Sequence, residues 1–138
     1  MNGNVFVIDC RGAVRADAGL GFVEVQRRGP LIAGEPTLIA NYHTFSGTGI
    51  NVQNIAILQY RNGAIIRLWD HPSFEGNYVP GTETDETTYR WRFSLGGRGI
   101  EVTGRDVVLL GHQRRRHHYP MADHFCLNSK AMKYLPCH

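Results

Sequence analysis

The dipeptide Asn62-Gly63, set between NIAILQY and AIIRLWD, constrains this chain more than any other feature. A two-residue type I′ turn needs positive φ at both central positions, which Asn and Gly accept, and its twist matches that of the strands it joins. Register follows. Counting outward pairs Arg61 with Ala64, Tyr60 with Ile65, Leu58 with Arg67, Ala56 with Trp69 and Asn54 with His71, and paired residues share a face. One face then carries Gln59, Ile57, Ile55, Ile66, Leu68 and Asp70, an aliphatic wall that ends in a carboxylate. The other carries Tyr60, Leu58, Ala56, Asn54, Ile65, Arg67, Trp69 and His71.

Short β-type runs punctuated by Gly, Pro, Asn and Asp recur along the chain: 5–10, 21–27, 37–45, 51–60, 64–71, 87–95, 100–103 and 107–110. A further run at 118–127 reads as strand or loop. Tyr89, Trp91, Phe93 and Leu95 alternate with Arg90, Arg92 and Ser94, so the aromatic face points inward and the basic face outward. Gly96-Gly97-Arg98-Gly99 then reverses the chain into a second hairpin. Residues 75–86, EGNYVPGTETDE, read as a long exposed loop, and 128–135 as a short C-terminal helix with Ser129 at its N-cap and Pro136 beyond its end.

These elements predict one domain over 1–138, mainly β: an antiparallel meander forming a closed or curled barrel around a pocket, with a two-sheet sandwich as the competing arrangement. A chain of 138 residues buries roughly two thirds of its unfolded surface, enough for a core without staples. The three cysteines, Cys10, Cys126 and Cys137, are odd in number and widely spaced; Cys126 and Cys137 could pair, but the set favours free thiols and an intracellular setting. No apolar run approaches the roughly 20 residues that span a bilayer, and MNGNVFVIDCRG lacks the layout of a leader. The expectation is a cytoplasmic chain with no membrane partner.

Four groupings could carry chemistry. With the aliphatic wall turned inward, Asp70 sits at the end of an apolar cavity, where desolvation makes a carboxylate a competent base. Tyr42, His43 and His71 would then polarise the substrate's carbonyl oxygen, making Asp70, His43, Tyr42 and His71 the candidate catalytic set. With the opposite face inward, Trp69 becomes a platform flanked by Arg67; Trp69, Arg67, Tyr60 and Trp91 are the candidate ligand-binding side chains, and Asn41, Tyr42 and His43 on a neighbouring run add polar groups open to either face. The residues His112, His117, His118, Asp123, His124 and Cys126 are metal-ligand types, but their spacing matches no zinc signature, so neither metal nor cofactor is expected. The basic run HQRRRHH at 112–118 resembles a phosphate-contacting patch and is the only support for nucleic acid as a partner.

Nucleotide hydrolysis, dinucleotide redox chemistry and serine hydrolysis lack their glycine loops and nucleophile elbow. What remains is a small-molecule-binding β domain. It is either a cofactor-independent isomerase, cyclase or lyase working by acid/base catalysis, or a non-catalytic binding module. An open strand edge would favour a homodimer.

YHTF at 42–45, followed by NIAILQYRNGAIIRLWDHPSF at 54–74, resembles the last two strands of the cone-shaped α+β superfamily that includes ketosteroid isomerases, polyketide cyclases and limonene-epoxide hydrolases. Arg61-Asn62-Gly63-Ala64-Ile65 occupies that family's turn, and Trp69-Asp70 the end of its following strand. The resemblance covers about a quarter of the chain. It implies an α+β cone as the alternative fold and Asp70 as the position of an acid or base. Members of that family open with helices, whereas nothing before Gly21 reads as helix. A lipocalin-like barrel has the right strand count but lacks its Gly-x-Trp here.

Overall fold

The computed structural model describes residues 3–21, 23–78, 84–93, 97–110 and 113–138, with the backbone alone at 45–46, 78, 84, 105–110 and 113–121. Ten strands run in chain order: β1 (Asn4–Ile8), β2 (Val14–Gly19), β3 (Val23–Ile32), β4 (Glu35–Gly47), β5 (Ile50–Arg61), β6 (Ala64–Tyr78), β7 (Thr84–Phe93), β8 (Gly99–Leu110), β9 (Gln113–Asn128) and β10 (Lys133–Pro136). The first two form their own antiparallel hairpin, and β3 to β10 form one eight-stranded antiparallel meander in sequence order.

Tight turns set this topology. Asn62-Gly63 has φ of 51° and 82°, as the I′ reading requires, and two less conspicuous pairs do the same: Ala33-Gly34 at 52° and 71°, and Thr48-Gly49 at 44° and 82°. Each closes a two-residue loop, between Ile32 and Glu35, Gly47 and Ile50, and Arg61 and Ala64. Strands β3 to β6 are thus laid down by three successive local reversals.

Strand β6 joins β7 only at one end, where Phe74–Tyr78 pairs with Thr84–Thr88. Beyond Thr88, β7 leaves β6 and continues with β8. The sheet forks there, and its second half turns over the first. One core fills the space between the halves: Ile32, Ile39, Ile55, Ile57, Leu68 and Trp69 from β3 to β6 meet Ile100, Val102 and Tyr134 from β8 and β10, with Trp91, Phe93 and Phe125 packed against them. Burying each such aliphatic or aromatic side chain is worth roughly 1.5–3 kcal/mol. A second, smaller cluster of Leu20, Tyr42, Ala56 and Leu58 lies on the outer face of β4 and β5, where Val5 and Val23 pack against it.

The mainly β, antiparallel expectation holds, and the described part of the aromatic strand is as read, with Tyr89, Trp91 and Phe93 against the core and Arg90 and Arg92 exposed; Ser94, Leu95 and Gly96 lie outside the described residues. Several expectations need correction. Among the described residues, β3 and β10 are the two ends of the sheet and do not pair, so no closed barrel forms. No α-helix occurs among them either, and a β1–β2 hairpin stands where a cone would open with helices. The predicted helix at 128–135 is instead a turn at 129–132 followed by β10. Asn128 Oδ1 accepts from the backbone N–H of Lys130 and Ala131, an Asx closure that starts a reversal as readily as a helix. Most of the predicted loop at 75–86 is paired strand, with 79–83 outside the described residues.

Cys126 and Cys137 are not free thiols: they form a disulfide, because the β9–β10 hairpin brings their Cα atoms to 5.1 Å. Cys10 is free and exposed. No helix among the described residues is long and apolar enough to cross a membrane.

Candidate functional site

Which face of the Asn62-Gly63 hairpin points inward decides which polar groups meet. The aliphatic face does: Ile57 is 0% exposed, Ile55 2% and Leu68 1%. That face, however, does not end in Asp70. Leu58 pairs with Arg67 and Ile57 with Trp69, leaving Leu68 as an extra residue in β6. Such a bulge shifts every following side chain to the opposite face. Trp69 and Leu68 both enter the inner core, His71 pairs with Ile55 on the inside, and Asp70 pairs with Ala56 on the outside.

On the outer face Asp70 meets three donors. Tyr42 Oη donates to Asp70 Oδ2, Asn54 Nδ2 to Asp70 Oδ1 at 2.8 Å, and Arg67 Nη1 to Asp70 Oδ2 at 2.7 Å. Arg67 Nη1 also donates to Tyr42 Oη at 3.3 Å, and its guanidinium lies 5.5 Å from the Tyr42 ring centre. Burial, then the bond to Asp70, pushes the Tyr42 phenol up to about 12, so it stays a neutral donor at physiological pH. This is a closed ion-pair cluster. Tyr42, Arg67 and Asp70 come together as candidate residues, joined by Asn54, but the carboxylate's acceptor sites are engaged by protein and the cluster faces away from the inner core.

The other candidates divide. His71 lies in an aromatic group with Trp69, Tyr89 and Phe125, its Nδ1 2.7 Å from the Pro72 carbonyl. Trp69 is buried at 5% exposure, and Tyr60 is half-buried opposite Ile65. His43 is exposed on β4, opposite Gln53. The side chains of the basic run at 112–118, and of His112, His117 and His118, lie outside the described residues. Among the described residues no three His, Cys, Asp or Glu side chains gather closely enough to hold a metal.

Trp91, by contrast, lines a groove of about 400 Å³ at the fork. One wall is aromatic, from Phe74, Tyr89 and Trp91; the rest is amide and hydroxyl, from Gln26, Asn41, Asn51, Gln53, Ser73 and Thr88. Asn51 and Gln53 precede Ile55 and Ile57 at a spacing of two on β5, so the aliphatic wall runs on into amides. Two further bulges contribute. Gln26 is the extra residue between Val25 and Arg27 in β3, and Ser73 the extra residue between Pro72 and Phe74 in β6. Three buried polar atoms of this lining, Asn41 Oδ1, Asn51 Oδ1 and Ser73 Oγ, have no hydrogen-bond partner among the described residues. Asn54 Oδ1 and Trp69 Nε1 share that condition elsewhere. Leaving such an atom buried and unpaired costs about 1–3 kcal/mol, so three on one groove is an arrangement that asks for donors from outside the fold.

Sequence reasoning named Asn41 and Trp91 but passed over Asn51, Gln53, Gln26 and Ser73. The period-two run Asn51, Gln53, Ile55, Ile57 was the legible signal; the two bulged residues had none. Compared with protein-family models, with curated proteins and with solved structures, the chain matches none.

Proposed function

We propose that this chain is a non-catalytic binding domain for a small organic molecule, held in the groove where β7 leaves β6. The observation that carries this reading is the convergence of three unpartnered buried polar atoms, from β4, β5 and β6, on one concave surface beside Trp91. The acid/base alternative needs a carboxylate facing a cavity, and Asp70, bonded to Tyr42, Asn54 and Arg67 on the opposite face, supports it less well. The Cys126–Cys137 bond supports an oxidising compartment over the cytoplasm as the setting. The terminal strands β3 and β10 are where a second copy would add to the sheet if the expected homodimer forms.

The two tryptophans supply the test. In a Trp69→Phe chain the remaining indole is the groove's own Trp91. Binding compounds from a library of small metabolites should shift its emission and be recovered unchanged. A library that leaves Trp91 emission untouched, or a compound converted over many turnovers, would overturn the reading.

A further inference from the structure

The lining of the groove says what class of molecule it suits, an inference that rests on the binding role just proposed. Among the described residues, the nine that line it carry no charge. An anion or cation drawn into it would give up hydration and meet only amides, hydroxyls and aromatic rings among these side chains, the nearby Glu75 carboxylate being taken up by the Tyr89 hydroxyl. A wholly apolar ligand would leave Asn41 Oδ1, Asn51 Oδ1 and Ser73 Oγ as unpaired as they are in the fold alone and would strip water from the other amides and hydroxyls of the lining. The complement is a neutral molecule rich in hydroxyls, each of which donates and accepts as water does, so that carboxamide oxygens receive donors while the amide N–H groups find acceptors.

Spread narrows the class further. The three unpartnered atoms belong to three consecutive strands, β4, β5 and β6, and two inter-strand steps span about 10 Å. The edge of a single flat heterocycle presents its polar atoms over a shorter distance than that. A chain of sugar rings presents hydroxyls along its whole length. It also offers apolar C–H faces to an aromatic wall, here Trp91 and Tyr89, while Tyr89 keeps its hydroxyl on Glu75 at 2.8 Å. We infer that the groove binds a neutral oligosaccharide of two or more rings, with Asn41, Asn51, Gln53 and Ser73 meeting its hydroxyls and Trp91 stacking on a ring face.

The test is an NMR titration of the full chain carrying ¹⁵N label, read at the side-chain amides of Asn41, Asn51 and Gln53. The probes are neutral disaccharides (cellobiose, maltose, mannobiose, chitobiose), glucuronate and glucose 6-phosphate as charged counterparts, adenosine as a flat heterocycle, and a sterol as an apolar one. At least one neutral disaccharide should move these amides and bind more tightly than its monosaccharide. Asn51→Ala should weaken that disaccharide about tenfold. Ser73→Ala serves as the second variant, its backbone spectrum at β8 to β10 reporting that the fold is kept. If only the charged, flat or apolar probes move the groove amides, the saccharide assignment fails while the binding role stands. If every probe leaves them unmoved and Trp91 emission answers to no library compound, both fail. Equal affinity in the parent chain and both variants also overturns the assignment.

Discussion

Two polar clusters lie on opposite faces of the same three strands, β4 to β6, and they are built on opposite terms. On the outer face Tyr42, Asn54 and Arg67 all donate to the Asp70 carboxylate, so its charge is answered within the fold, although Asn54 Oδ1 itself has no partner among the described residues. On the inner face Asn41, Asn51 and Ser73 hold buried oxygens with no partner among the described residues. A cluster that closes on itself contributes to the fold and has little left to offer a ligand. One left open weakens the fold locally and gains a surface for recognition. Charge alone would have pointed to the wrong side, because the ionisable groups are the self-satisfied ones.

Substitutions should separate the two roles. The largest effect is expected at the bulge that divides the faces. Trp69→Ala removes the indole that the Leu68 bulge turns into the core and should cost about 3–5 kcal/mol in denaturant unfolding, far more than Trp91→Ala at the half-buried groove wall. Second is alkaline pH. Burial holds both the Tyr42 and Tyr134 phenols up to about 12, above the ordinary value of 10, so the fold favours their neutral forms. Their contribution is complete below pH 10 and drains away as pH rises from about 10 to about 12, because the unfolded chain ionises first. Loss on the order of 2 kcal/mol per tyrosine should appear in urea midpoints across that window, and Tyr42→Phe should flatten the slope.

Third, Asp70→Asn leaves Arg67 without its counter-ion on a partly exposed face and should cost about 1–2 kcal/mol while oligosaccharide titrations of the groove stay unchanged. Catalytic or binding failure with intact stability would reverse the roles assigned to the two faces. The smallest stability effect belongs to Asn51→Ala. Removing an unpartnered buried amide oxygen should change the thermal midpoint by only a degree or two or raise it, yet binding should suffer. A large destabilisation there would mean that the inner cluster is structural too.

Much of the fold was legible because its turns are local. Asn62-Gly63 announced its hairpin, the alternation of Tyr89, Trp91 and Phe93 announced an inward face, and Ile55 and Ile57 share one face as counted, although the sequence left open which face of that hairpin points inward. Ala33-Gly34 and Thr48-Gly49 form the same kind of turn, but Ala33 and Thr48 at the first central position have no preference for positive φ, so the glycine alone is a weak signal and tertiary context completes the selection. The candidate site was misplaced for one reason. Register was counted outward from the turn as an unbroken ladder, and Leu68, which resembles any other strand residue, adds one to the count. A period of two has no tolerance for such an insertion: it changed the faces of Trp69, Asp70 and His71 together. The Cys126–Cys137 pair was weighed but free thiols were preferred, because the two sulfurs approach only after β10 folds back beside β9, and a helix was expected over those residues.

The fork between β6 and β7 has a consequence for how the molecule can be divided. The ladder from Phe74–Tyr78 to Thr84–Thr88 is where the two halves become one sheet, and the groove draws Asn41, Asn51 and Ser73 from one half and Trp91 from the other. Two fragments cut between Tyr78 and Thr84 would each carry an incomplete site. A molecule that touches both would act as glue, and its affinity could be read as the gain in their reassembly.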